Sequence, residues 1–201
     1  MADIPYLSAR VREAEALLRT AIKELVTATN NPYIPFAPSI EQELLDECRV
    51  LRSRYTLLEF MPKNAVCAEV GTRFGHFAKE IRKKTSPAKF HIIDIDLQLF
   101  EREEFDGDIQ GGRVHLHEGD SSTILNSFTE NYFDWIYIDA QHSYEGFVKD
   151  LNASVKKLKP DGFIVCNDYT VYSAPEVYHY GVLRGVNEFC TTHRWKMSFL
   201  R

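Results

Sequence analysis

From residue 65 onward the chain alternates short apolar runs with helix-patterned segments, and this alternation constrains its fold more than any other feature. The strand-like runs are AVCAEV (65–70), KFHIID (89–94), RVHLHE (113–118), FDWIYID (133–139), GFIVCN (162–167) and WKMSFL (195–200). Helical periodicity appears between them at 74–84, 121–129, 144–158 and 182–192. Strands joined by helical crossovers run parallel with right-handed connections. The pattern therefore predicts an α/β fold, a doubly wound and mostly parallel sheet with helices on both faces. Ligands of such sheets sit beyond the carboxyl ends of the strands, at the switch point. Those ends carry Glu69, Asp94, Asp96, Asp120, Asp139 and Asp168. Such an acidic rim suits a ligand with hydroxyls and amines better than one with bare phosphates.

Two helices are expected ahead of the sheet, so the chain reads as helical cap 1–60 followed by sheet domain 61–201. Val11, Ala14, Leu18, Ala21, Ile22 and Leu25 predict an amphipathic helix over 9–28. The prolines of NNPYIPFAP (30–38) break it. Ser39 opens SIEQ, an S-x-x-Q capping box, and a second helix to about residue 60 puts Ile40, Leu44, Cys48, Leu51, Tyr55 and Leu58 on one side. Both helices are expected to cover an edge or mouth of the sheet.

The first strand runs into E-x-G-x-x-x-G, with Glu69, Gly71 and Gly75 ahead of a helix. Gly75 is followed by His76 and Phe77, so the Lys and hydroxyl of a phosphate-gripping P-loop are missing. Arg73 stands where a dinucleotide fingerprint needs its second glycine and would obstruct a pyrophosphate. S-adenosylmethionine has no phosphate and fits the turn, while glycines serving packing alone remain the bland alternative. Asp94, 23 residues after Gly71, can accept from both hydroxyls of a ribose, although Asp96 is close enough to take that role. In EGDS (118–121), Asp120 can accept from an adenine amino group and Ser121 can help fix the ring. Either residue can equally be a helix N-cap.

Together with FDWIYIDAQHSYEGFVKDL and LKPDGFIVCNDY, these motifs resemble class I S-adenosylmethionine-dependent methyltransferases over roughly residues 50–190. The resemblance is strongest to sugar and small-molecule O-methyltransferases. It implies a Rossmann-like methyltransferase fold, with Glu69, Gly71 and Gly75 framing the methionine end of the cofactor, Asp94 the ribose, and Asp120 with Ser121 the adenine. The implied fold usually closes with an antiparallel strand pair, whereas only WKMSFL follows the last helical segment here.

Methyl transfer to oxygen requires the acceptor hydroxyl to lose its proton. Asp139, Asn167 and Asp168, at the ends of neighbouring strands, form an oxygen-donor set suited to Mg²⁺, though undercharged for it. His142, three residues after Asp139, is placed to act as general base. In the sugar O-methyltransferases that this stretch resembles, the corresponding Asp and His hold those two jobs. The catalytic candidates are therefore His142 and Asp139, with a metal-assisted and a metal-free reaction both open. YTVYSAPEVYHYG (169–181) is a candidate lid whose tyrosines can stack on an acceptor. His115 and His117 share a strand face without a third His or Cys nearby in sequence, so a solvated face is expected rather than zinc.

Several function classes lose ground. The net charge of −5 (24 Lys and Arg against 29 Asp and Glu) lacks the basic clusters of nucleic-acid binders. NNPY (30–33) lies ahead of the glycine turn, unlike the motif of DNA amino-methyltransferases, and strand four ends in DAQH. MADIPYLSAR has no signal-peptide character, no run approaches about 18 apolar residues, and the four cysteines form no CxxC pair. A cytoplasmic enzyme with a small-molecule acceptor, no nucleic-acid partner and no membrane partner is expected; a homo-oligomer is left open. A nicotinamide-dependent oxidoreductase and a non-catalytic S-adenosylmethionine-binding protein are the competing readings.

Overall fold

A computed structural model describes residues 3–30, 32 and 36–201, in two units, Met1–Phe36 and Ala37–Arg201. The first unit is helix α1, Ile4–Thr29. It starts earlier than its apolar spacing suggests because Asp3 accepts from the Tyr6 N–H as N-cap and Pro5 sits in the first turn. It ends where Asn30 turns left-handed. Of the proline segment and NNPY, residues 31 and 33–35 lie outside the described residues.

The second unit holds a five-stranded sheet of β2 (Val66–Val70), β3 (Lys89–Asp94), β4 (Val114–Glu118), β5 (Phe133–Ile138) and β6 (Leu158–Cys166). All neighbours are parallel in the order β4-β3-β2-β5-β6. This is the doubly wound sheet expected. The chain winds from β2 through β3 to β4, then crosses back to β5, so the switch point lies between β2 and β5. Register brings the strand ends level: the Gly71 N–H donates to the Ile93 carbonyl, Asp139 to Val70, Gly119 to Asp94 and Asn167 to Ile138.

Side chains alternate across the pleat. Cys67, Phe90, Ile92, Trp135 and Tyr137 pack with α3 (His76–Thr85) and the segment near Leu58, while Ala68, Val70, Ile93, Ile136 and Ile138 pack on the opposite face. That opposite face is covered by α5 (Ser121–Ser127), α6 (Tyr144–Val155) and α7 (Val182–His193). A short α4, Asp106–Gln110, precedes β4.

Residues 39–60 do not form the expected helix. Their backbone groups bond elsewhere: β1 (Arg49–Val50) pairs in parallel with β9 (Phe199–Leu200), and the Met197 N–H donates to the Leu44 carbonyl. The SIEQ box is not made; a short 3-10 turn, Gln42–Leu44, has Glu41 as its N-cap without a side-chain bond. Ser53 instead caps a one-turn helix α2, Arg54–Leu57, and Leu57, Leu58 and Met61 enter the core. Segment 37–60 thus belongs to the sheet-bearing unit, and the division falls ahead of residue 60. WKMSFL is strand only at its last two apolar residues. The segment expected as a lid carries a small antiparallel hairpin, β7 (Tyr172–Ser173) with β8 (Tyr178–His179).

His115 and His117 are not on a solvated face. Buried His91 of the adjacent strand stacks on His115 at 4.8 Å, and its Nδ1 lies 2.9 Å from His117 Nε2. His91 Nε2 bonds Tyr132 at 3.0 Å, and Phe128 and Phe133 pack edge-on. Burial, then the neighbouring histidines, lower the His91 pKa to about 3. The third histidine absent from the local sequence comes from the neighbouring strand.

Candidate active site

A cleft of about 910 Å³ lies over the carboxyl ends of β2 to β6. Its first wall is the β2–α3 turn. Gly71, at φ +85°, lies so close to the Asp139 carbonyl that any Cβ would overlap it. Gly75, at φ +81°, begins α3 beside the Phe100 ring and does not line the cleft. Arg73 between them also adopts positive φ, an arrangement held by its neighbour on β3. Asp94 Oδ2 accepts the N–H groups of Thr72 and Arg73 at 2.7 and 2.8 Å. Its Oδ1 meets only the Asp96 N–H, at 3.3 Å, and keeps acceptor capacity toward the cleft.

Glu69 sits beneath the turn, 1% exposed and outside the cleft lining. Burial raises its pKa to about 8. Glu69 Oε2 and Thr72 Oγ1 are buried without a hydrogen-bond partner. Glu69 thus lies beneath the turn and not on the cleft surface.

At the β4 end, Asp120 is the N-cap of α5. Its Oδ1 accepts from the Thr123 N–H, Thr123 Oγ1 and Ser122 Oγ, and Lys149 faces Oδ2 at 3.0 Å. These bonds hold its carboxyl well below the usual carboxylate range. The cap reading left open by the sequence is thus realised. Ser121 Oγ donates to Asp150 Oδ1 of α6, a carboxylate 3% exposed whose pKa is raised by burial.

The opposite wall gathers the residues after β5 and β6. His142 Nε2 lies 3.5 Å from Asp139 Oδ1 and 3.2 Å from Asp168 Oδ2, ion-pair distances without hydrogen-bond alignment. The two carboxylates raise its pKa to about 9 against the opposing effect of burial. Asn167 donates through Nδ2 to Asp139 Oδ1 at 3.0 Å, and Arg54 Nη1 reaches Asp139 Oδ2 and the Tyr137 hydroxyl at 3.4 and 3.3 Å. Tyr180 lies flat on His142, and its hydroxyl donates to Glu176 at 2.6 Å. The Gly181 N–H donates to the His142 carbonyl.

The structure thus brings Asp139, His142, Asn167 and Asp168 together. Gly71, Asp94, Asp120 and Ser121 lie across the same cleft; Glu69 and Gly75 stand behind it. Among the described residues, Asp139, His142 and Asp168 offer three ligand atoms within 4.8 Å of one another, whereas Asn167 turns a donor toward Asp139. Sequence reasoning missed Arg54, which was hidden in the expected long helix. It also missed Asp150, whose one signal was an acidic residue beside Phe147, Leu151 and Ala153 in the helical pattern. Of the lid tyrosines, Tyr180 reaches His142, whereas Tyr169 bonds Asn187.

A family model described as a methyltransferase domain matches residues 68–169. No curated protein matches the sequence. Among solved structures the chain is similar to precorrin 8w decarboxylase from Methanobacterium thermoautotrophicum, at 22% identity and TM-score 0.44, covering 68% of this chain and 66% of that one. Precorrin-6y C5,15-methyltransferase from Geobacter metallireducens is 16% identical with TM-score 0.48, over 63% and 70% of the two chains. Spermidine synthase from Thermotoga maritima is 19% identical with TM-score 0.42, over 57% and 43%. The chain spans just under two thirds of the first of these structures and under half of the last.

Proposed function

The chain belongs to the methyltransferase-domain family, and from that premise we propose an S-adenosylmethionine-dependent O-methyltransferase for a small hydroxylated acceptor, with sugars the first class to test. The observation that carries this reading is the convergence of Asp139, His142 and Asp168 opposite Gly71 and Asp94 in one cleft. The residues present fit the cofactor: Gly71 lines the cleft without a side chain, which lets the β2–α3 turn pack against the Asp139 backbone at its floor, and Asp94 Oδ1 keeps acceptor capacity for ribose hydroxyls. When bound, S-adenosylmethionine supplies the methyl group as an activated sulfonium. Family membership sets aside the nicotinamide-dependent oxidoreductase.

His142 can take the acceptor proton only in its neutral form; Asp139 and Asp168 raise its pKa to about 9 and stabilise the imidazolium that forms, so the basic form gains as pH rises toward that value. Arg54 and Asn167 fix the orientation of Asp139 from its two oxygens. A divalent cation would instead be held by Asp139, His142 and Asp168 and would lower the pKa of the acceptor hydroxyl. One imidazole cannot ligate a cation and take the proton through the same nitrogen, so His142 stays available as base only where Asp139 and Asp168 hold the cation without it. A small acceptor, rather than nucleic acid, is supported by the net charge of −5 and the acidic cleft rim.

The test is incubation with labelled S-adenosylmethionine and a panel of sugars and phenols, followed by product analysis. Label on a hydroxyl oxygen is the expected result. Transfer confined to nitrogen or carbon acceptors overturns the O-methyl assignment.

A further inference from the structure

In α1, Ile4, Val11, Leu18 and Leu25 recur every seven residues, and Leu7, Ala14, Ala21 and Ala28 recur every seven between them. The steps alternate three and four without a break from Ile4 to Ala28, which is the a and d pattern of a coiled coil. At 3.6 residues per turn such a seam drifts around a straight helix. It stays on one side only when the helix supercoils about a partner. The outward b, c and f positions are mainly polar, with Arg12, Glu13, Arg19, Thr20, Lys23 and Thr27.

No residue of α1 is buried, and Ile4, Val11, Leu18 and Leu25 are 71%, 57%, 43% and 47% exposed. A helix in water gains most of its stability by packing such a face, so the seam calls for a partner. The flanking e and g positions say which one, because they set partner and orientation. In a parallel pair each g residue faces the e residue five places further on in the other helix. Arg10 then faces Glu15 of a second copy and Leu17 faces Ile22, each contact occurring twice by symmetry. Asp3 faces Ser8 and Glu24 faces Thr29, so no like charges meet. A reversed pair at full overlap would gain Arg10 against Glu24 but set Glu15 against its own copy. The alanines at three of the four d layers let the two backbones approach closely.

We propose that α1 joins two copies of this chain in a parallel two-stranded coiled coil, with Arg10 of each copy paired to Glu15 of the other. The occupant of the seam is a second copy because the same helix supplies both members of the charge pair and of the Leu17–Ile22 contact. The assembly needs neither the methyl donor nor turnover, so it stands or falls apart from the reaction assigned to the cleft.

The test is sedimentation equilibrium of the full chain. The wild type is expected at twice the mass of one chain, and Leu18→Glu, which puts a charge in the middle of the seam, as a monomer at the same concentration. Arg10→Glu and Glu15→Arg are each expected to weaken the dimer about tenfold, through two surface pairs turned repulsive, and the double variant to return within about threefold of wild type. Ala14→Cys sets two thiols face to face in a parallel coil and opposite Leu18 in a reversed one. Mild oxidation is therefore expected to cross-link this variant into a dimer on a non-reducing gel, with the wild type as the blank for the four native cysteines. Near-ultraviolet circular dichroism checks that each variant keeps its fold. A monomeric wild type, or a dimer that survives Leu18→Glu, overturns the inference. A dimer that neither cross-links in Ala14→Cys nor recovers in the double variant overturns the parallel pairing.

Discussion

Tyr180 lies face to face on His142, with ring centroids 4.2 Å apart and planes 9° from parallel. The stack leaves His142 little freedom to turn away from Asp139 and Asp168. It also joins the candidate base to the segment after β6, because the Tyr180 N–H donates to the Val171 carbonyl and its hydroxyl to Glu176.

Replacing the ring tests that restraint. Tyr180→Phe keeps the stack and loses only the bond to Glu176, so turnover is expected to stay within about threefold of wild type. Tyr180→Leu removes the flat face and is expected to lower turnover on the order of tenfold, with S-adenosylhomocysteine affinity unchanged. Steady-state kinetics with an accepted sugar or phenol, beside calorimetry, separate the two effects. Equal loss in both variants would assign the role to the hydroxyl.

His142→Ala is expected to reduce turnover by about 10²- to 10⁴-fold, the usual range for general-base help, with donor affinity retained. Chelator treatment divides the two arrangements at the site. Full activity in chelator leaves His142 as a metal-free base; loss restored by Mg²⁺ in the wild type but not in Asp139→Ala or Asp168→Ala places a cation at those carboxylates.

Asp94 has two jobs on two oxygens. Asp94→Ala is expected to weaken S-adenosylhomocysteine binding by about 1.5–3 kcal/mol, as for lost bonds to a charged group. Because Thr72 and Arg73 also lose their acceptor, the melting temperature should fall as well. Unchanged affinity with a lowered melting temperature would leave Asp94 as a brace for the turn and nothing more.

Stability should depend on pH through His91. Its folded pKa, about 3, lies below the ordinary histidine value of 6.5, so the unfolded chain binds the extra proton between those values. This contribution is complete above pH 6.5 and is lost as pH falls toward 3. Denaturant midpoints at pH 7 and pH 4.5 should differ in that direction, and His91→Phe should shrink the difference. A variant with the full wild-type drop would show that other groups govern the acid side.

The sequence alone determined the doubly wound sheet, because a period of two or 3.6 and a glycine turn are local signals written into consecutive residues. It also placed Asp94, Asp139, His142 and Asp168 at strand ends, since parallel winding puts every such end on one side. What it could not determine were the partners of those side chains. Whether Asp120 caps α5, whether Ser121 gives its proton to Asp150, and whether His91 completes a trio with His115 and His117 depend on strand register and helix placement. The SIEQ box failed for the same reason. Its local hydrogen bonds lost to the parallel pairing of Arg49–Val50 with Phe199–Leu200, some 150 residues away in sequence. Short-range preference is worth about 1 kcal/mol per cap, and a distant backbone partner together with burial of Leu57 and Leu58 outweighs it.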